Sequence, residues 1–330
     1  MMATGFRMVR ASIGTLGVLG MELVLMDSPP TTAYLQIHSS DRCRANCRFC
    51  AQASGSKADL TRIARGIYPS VELASVVEGL GKAYVRGYIR RVCIQTMMTA
   101  SMWEDATTLV TEIRRTCSAP ISFSTHPIGM GRYHSLKELG VEHLTIPLDA
   151  CTEELFDEIK GIGANSPHRW SAHLSGLADA LQVFGRGKVG THLIIGMGES
   201  DKDAIRQIDQ LCKNGIITAL FAYTSINGSR MRDGFCDSGH YQRVQLAHHL
   251  ICTGIGRYDE MRFEDGRVTN YGIGRDLLES VVRDGRPFQT TGCSACNRPY
   301  ATETHRSMRN FPQKPTPSQL HMIRKDLDML

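Results

Sequence analysis

The feature that most limits how this 330-residue chain can fold is a regular exchange of two hydrophobic periods. From residue 32 onward, short β-rich apolar runs alternate with longer stretches whose apolar residues recur at helical spacing. Residues 32–38 read as a strand, 71–86 as a helix, 88–95 as the next strand and 103–115 as the next helix. The cycle continues with a strand at 121–125, a helix near 133–139, a strand at 143–148 and helical segments up to Phe184. Strands at 188–195, 217–223, near 261–263 and near 287–291 follow, with helices at 201–213, 241–252 and 274–283. Such alternation calls for an α/β fold on a parallel sheet with right-handed crossovers. About eight units suit a (β/α)8 TIM-type barrel, whose chemistry sits at the C-terminal ends of its strands. An open, doubly wound sheet is the alternative, because periodicity alone does not decide closure.

No Pro/Gly/Ser linker is long enough to divide the series, so residues 32–291 are expected to form one barrel. Residues 11–26 are apolar, but Gly, Ser, Thr and Glu22 interrupt them and they are short for a bilayer. They read as a buried segment closing the bottom of the barrel, within a capping segment 1–31. A formal charge of +5 permits an acidic partner or an anionic substrate without making a nucleic-acid binder, and no membrane role is expected. The eleven cysteines are dispersed along a chain with no evident secretory signal. That favours a metal site in a reducing, cytoplasmic setting over a disulfide framework.

Three of those cysteines crowd directly behind the first strand, in Asp-Arg-Cys43-Arg-Ala-Asn-Cys47-Arg-Phe-Cys50-Ala-Gln. Thiolates at C-x3-C-x2-C can wrap one [4Fe–4S] cluster and leave the fourth iron without a protein ligand. An open iron can take a small molecule in bidentate fashion, as the amino and carboxylate groups of methionine require. Zinc asks for four ligands, usually as paired C-x2-C units; the loop offers three, and no His follows at zinc spacing. The stretch resembles the radical S-adenosylmethionine (SAM) superfamily, whose signature is this spacing with an aromatic residue before the third cysteine. The resemblance places Phe49 beside the SAM adenine. Arg42, Arg44 and Arg48 are either partners for cluster charge or solvated loop cations.

The resemblance runs from about residue 32 to 309 and is narrower than the superfamily. Cys50-Ala-Gln52 and Arg91-Val-Cys93-Ile-Gln-Thr are similar to the biotin synthase and lipoyl synthase-like branch. Leu148-Asp149 resembles that branch's fourth-strand motif, which implies a ribose-binding role for Asp149. The run from His192 to Glu199 resembles a G-x-I-x-G-x-x-E pattern with His192 in place of the first Gly. It implies Ile194 beside adenine, with Gly196 and Glu199 completing the cofactor-binding set. The glycines would let backbone approach the cofactor closely. A biotin-type second cluster cannot be intact, because 121–126 has no Cys and the fifth strand offers Thr191 and His192 instead.

The tail, 292–330, supplies a different pair. Cys293-Ser-Ala-Cys296-Asn-Arg-Pro-Tyr300 resembles the C-terminal end of the archaeal two-protein lipoyl synthases. The pair is expected on the catalytic face, holding an auxiliary iron–sulfur cluster, [4Fe–4S] in type, with Cys93 as a third ligand. Ser307, Cys236 or an exogenous group could complete it; a redox pair or small zinc clip is the alternative. Cys117, Cys151, Cys212 and Cys252 read as buried free thiols. His126 and His192, at strand ends or within strands, are candidates for substrate contact, and Arg262 and Arg267 for a ligand or anion contact near a seventh strand.

The resemblance implies sulfur insertion into an octanoyl-lysine to form lipoyl. Its partners would be an octanoylated carrier protein (glycine cleavage H protein or an E2 domain), a second radical SAM subunit and an electron donor such as ferredoxin. Another radical SAM reaction (carbon-skeleton rearrangement or metallocofactor assembly), or a non-catalytic iron–sulfur or zinc protein, stands beside that reading.

Overall fold

Eight short strands close-pack into one sheet in the computed structural model, which describes residues 7–231, 234, 236–299 and 308–329. The strands are β1 (Met8–Ala11), β2 (Thr32–Ile37), β3 (Ser70–Glu72), β4 (Arg91–Gln95), β5 (Ile121–Ser124), β6 (Val141–Thr145), β7 (Val189–Ile195) and β8 (Ile217–Ala222). Their order is β8-β7-β6-β5-β4-β2-β1-β3. From β2 to β8 all pairings are parallel, and β1 adds antiparallel to β2 and to β3.

The crossovers run through α2 (Leu73–Val85), α3 (Met102–Thr116), α4 (Met130–Glu138), α5 (Glu153–Ile159), α6 (Trp170–Phe184) and α7 (Asp201–Lys213); α1 (Ile13–Val18) precedes them and α8 (Ser238–Cys252) follows. Along each strand the pleat divides the residues between two environments. Val92, Ile94, Leu144, Leu193 and Ile195 are fully buried in the core cluster. Cys93, Gln95, His143, Thr145, His192 and Ile194 alternate with them and line the interior cavity. Helices complete the outer layer by amphipathic spacing: α3 buries Met102, Ala106, Leu109, Val110 and Ile113. Each fully buried Leu or Ile there contributes about 1.5–3 kcal/mol. A capping box of Ser200 and Asp203 fixes where α7 begins.

The α/β class and the eight-stranded sheet follow the alternation, but the membership of the sheet differs. The run near 261–263 is not its seventh strand: Arg262–Glu264 pairs with Arg267–Asn270 in a separate hairpin. Asp265 and Gly266, both at positive φ, make the two-residue turn that ties the two together locally. The run at 287–291 is not an eighth strand either. Arg286–Phe288 is a 3-10 turn with Pro287 in it, and Gln289 makes only an isolated bridge to Phe311. In the sheet, their places are taken by β1 and β3, too short to read as alternation.

The N-terminal segment lies only partly inside. Leu16 is buried in α1, whereas Leu23 and Leu25 stand fully exposed. Cys212 and Cys252 are not free thiols: a disulfide joins α7 to α8 across a Cα–Cα distance of 5.7 Å. Forty residues separate the two, and helical placement gives no sign of pairing. Among the described residues no helix is long and apolar enough to cross a membrane.

Candidate functional site

The loop after β2 is fastened on both sides. The Cys43 amide donates to Gln52 O at 2.9 Å and the Arg44 amide to Met98 O at 2.9 Å. The Arg48 amide reaches Ile159 O at 2.7 Å, and the Asn46 side chain donates to Ala164 O at 2.9 Å. Gln52 pairs its side-chain amide with that of Gln36 on β2 at 2.7 Å. Two of the loop arginines are braces: Arg42 donates to Ala51 O and Ala58 O, while Arg48 meets Glu158 and Gly163 O. Backbone amides also point at sulfur, Met98 N to Cys43 Sγ at 3.3 Å and Gln52 N to Cys50 Sγ at 3.4 Å. Burial pushes the thiols of Cys43 and Cys47 up and that of Cys50 to about 11, so thiolate formation there is coupled to metal binding.

Among the described residues, no three His, Cys, Asp or Glu side chains close on a single metal ion. The thiolates of a cuboidal cluster each meet a different iron, and three cysteines of one pinned loop suit that wider demand. Phe49 and Cys50 face a cavity of about 500 Å3 inside the sheet, together with Asp149 and Ile194. The residues therefore fit a three-thiolate cluster with an organic cofactor beside it.

Asp149 is placed by backbone: its amide donates to His192 O at 2.8 Å and its carbonyl accepts from Ile194 N at 3.0 Å, with φ at +67°. One carboxylate oxygen is held by Lys160, 2.7 Å away and also buried, whose ammonium donates to Pro147 O as well. Lys160 is a residue the sequence reading missed, since an i+11 lysine beyond the strand carries no motif. Gly196 and Glu199 do not line the cavity, although the motif grouped them with the cofactor residues. The Glu199 carboxylate accepts from the amides of Gly196 and Met197, at 2.6 and 3.1 Å, and from His240 at 3.0 Å. The space a side chain would need at Gly196 is filled by Cys236, 2.6 Å from an added Cβ. His240 bridges on to Asp201 at 2.5 Å, and Arg243 clamps the same carboxylate at 2.6 Å. Burial alone would push the His240 imidazole down; its bonds to Asp201 and Glu199 outweigh that and raise it to about 9.

Cys93, Cys293 and Cys296 line the same cavity as Phe49 and Cys50, at its opposite end. The tail was expected on the catalytic face, but it crosses the N-terminal ends of the strands, because the segment before it never joins the sheet. Thr31 and Thr32 donate to Ala295 O at 2.7 and 2.8 Å, and Arg91, at the start of β4, donates to Ser294 O and Oγ at 2.8 and 2.7 Å. On the far side the Leu220 amide donates to Thr291 Oγ1 at 2.9 Å. Arg298 lies over the Phe221 ring, 3.9 Å from its centroid. The tail thus floors the cavity and reaches from β2 to β8. Tyr34 Oη sits 3.5 Å from Cys296 Sγ. Burial pushes the Cys93 thiol far up, and the nearby Cys293 and Cys296 push it the same way. Following the ladder, the Cys93 row meets β7 near Lys188, five residues below Leu193, where Asp149 bridges. That is roughly 16 Å of strand at about 3.3 Å per residue.

Other candidates are dispersed. His192 lines the cavity, edge-on to Phe221 at 4.9 Å, and burial lowers it to about 4. His126 packs outside the cavity near His168. Arg262 and Arg267 belong to the detached hairpin, where Arg267 pairs with Asp328. Cys236 is buried behind the cavity, not at the floor, and Ser307 and Tyr300 lie outside the described residues. Cys117 and Cys151 are buried free thiols.

The family model for the Radical SAM superfamily matches residues 37–212. No curated protein matches the chain. Among solved structures, HydG, a maturase of the [FeFe]-hydrogenase, aligns at TM-score 0.52 and 11% identity, over 69% of this chain and 53% of its own. This chain therefore spans about half the length of that protein. The HydG of Carboxydothermus hydrogenoformans aligns at 0.52 and 13% identity, over 83% and 70% of the two chains. Methylornithine synthase (PylB) aligns at 0.51 and 15%, over 76% and 80%. At these identities the likeness is one of fold.

Proposed function

The chain belongs to the radical SAM superfamily, and on that footing we propose that it inserts sulfur into unactivated C–H bonds of a protein-bound octanoyl-lysine. It would thereby form lipoyl as one subunit of a two-protein lipoyl synthase. The observation that carries this reading is a single cavity lined both by Cys50 of the 43–50 loop and by Cys93, Cys293 and Cys296.

The [4Fe–4S] cluster and SAM of the family supply, when bound, a 5′-deoxyadenosyl radical able to take hydrogen from an unactivated carbon. In this chain Cys43, Cys47 and Cys50 hold the cluster, Phe49 and Ile194 flank the adenine, and the free side of the Asp149 carboxylate accepts from the ribose. Lys160, 2.7 Å from one of its oxygens, keeps that carboxylate aimed. Cys93, Cys293 and Cys296 hold an auxiliary iron–sulfur cluster as the sulfur source. Between the two, Ile63, Ile67, Phe221 and Ile226 give an apolar lining that suits an eight-carbon chain and keeps water from the reacting carbon. An octanoylated carrier such as glycine cleavage H protein or an E2 domain brings the substrate, a second radical SAM subunit completes the pair, and a ferredoxin-type donor supplies electrons.

Anaerobic incubation with SAM, reductant and an octanoylated carrier protein tests the assignment. Mass spectrometry of the carrier should show sulfur on the octanoyl group. Steady SAM cleavage with an unmodified carrier would instead leave another radical SAM reaction, with the tail acting only as a structural floor.

A further inference from the structure

We infer that His143 is the fourth protein ligand of the auxiliary cluster, joining Cys93, Cys293 and Cys296; the inference rests on the cluster reading above. Strand register puts it in place. Tyr34, Cys93, Ser122 and His143 are successive partners across β2, β4, β5 and β6, so they form one row on the inner face of the sheet. Strands lie about 4.8 Å apart, which sets His143 roughly 10 Å of backbone from Cys93, a span that a cluster with its ligands can fill. Cys293 lies beside this row at Ser122, and Cys296 meets it at Tyr34.

His143 is 3% exposed, lines the cavity, and its Nε2 has no hydrogen-bond partner. A buried imidazole nitrogen without a partner is costly and calls for one. The backbone opposite makes room for it: an added Cβ at Gly190 would lie 2.7 Å from His143 Nε2. The other polar groups of the floor are engaged. Tyr34 Oη accepts from the Arg298 amide at 2.8 Å, and Ser122 Oγ accepts from Arg91 at 2.9 Å. The Arg298 guanidinium donates to Leu220 O at 3.2 Å.

The test uses the full chain carrying Cys43→Ala, Cys47→Ala and Cys50→Ala together, labelled with 15N-histidine and reconstituted anaerobically with iron and sulfide, so that only the floor can hold a cluster. About four irons per chain are expected for a cluster of that type. Pulsed electron paramagnetic resonance of the reduced cluster should show a 15N coupling. Adding His143→Gln should abolish that coupling, or release the cluster from a chain that circular dichroism shows to be folded; adding His126→Gln should do neither. A coupling that survives His143→Gln, or a four-iron cluster with no 15N coupling in the parent, overturns the assignment. A parent that binds no iron overturns the auxiliary cluster itself, and the iron analysis separates that outcome from the others.

Discussion

Each thiol of the 43–50 loop depends on its neighbours for position, through the amides that fasten the loop on both sides. Cys43→Ala, Cys47→Ala or Cys50→Ala is expected to abolish reductive SAM cleavage, since two thiolates would hold the iron poorly. Near-normal 5′-deoxyadenosine formation in any one of the three variants would count against the site. His240 gives a pH-dependent expectation. Its folded pKa, about 9, lies above the unfolded value near 6.5. The stability it adds is therefore fully present below pH 6.5 and lost as pH rises through about 9. With partial exposure discounted, this is on the order of 2 kcal/mol. Denaturation of the parent and of His240→Gln at pH 6.5 and pH 9.5 should show a gap at the lower pH that narrows at the higher. At this scale the cluster loop was legible, because cysteine spacing is chemistry written in sequence. Lys160 and His240 were not, because each owes its partner to a fold that brings distant residues together.

Between elements, the division of labour at the two ends of the sheet makes a separable prediction. Cys93→Ala, Cys293→Ala and Cys296→Ala should leave SAM cleavage intact, since among the described residues the 43–50 loop is tied to β2, Met98 and the end of α5 and not to the tail. They should abolish sulfur insertion and lower iron from about eight toward about four per chain. Full sulfur insertion in the Cys293 and Cys296 variants would make the tail structural. The strands β2 and β4 to β8 were legible because each is buried on both faces and followed by a helical period. The detached hairpin was not, because a strand-like run cannot reveal that Asp265 and Gly266 turn it back on its own neighbour. The end of the sheet that the tail covers was misjudged for the same reason: without an eighth strand to climb, residues 290–298 stay low and meet Thr31, Thr32 and Arg91.

Over the whole molecule, the formal charge of +5 bears on encounter more than on fold. Use of an intact acidic carrier should weaken with added salt more than use of a short neutral octanoyl peptide, because steering acts over the whole partner. Equal salt sensitivity of the two would argue against a docking surface. The tail also carries a consequence in time. The last strand of the sheet, β8, ends at Ala222, and roughly 70 residues separate it from Cys293. At about 5–20 residues per second, a ribosome needs roughly 4–14 s to bridge that interval. For those seconds the nascent sheet has its 43–50 loop but no floor, so the cavity stays open at its lower end until residues 290–298 have emerged to meet Thr31, Thr32 and Arg91.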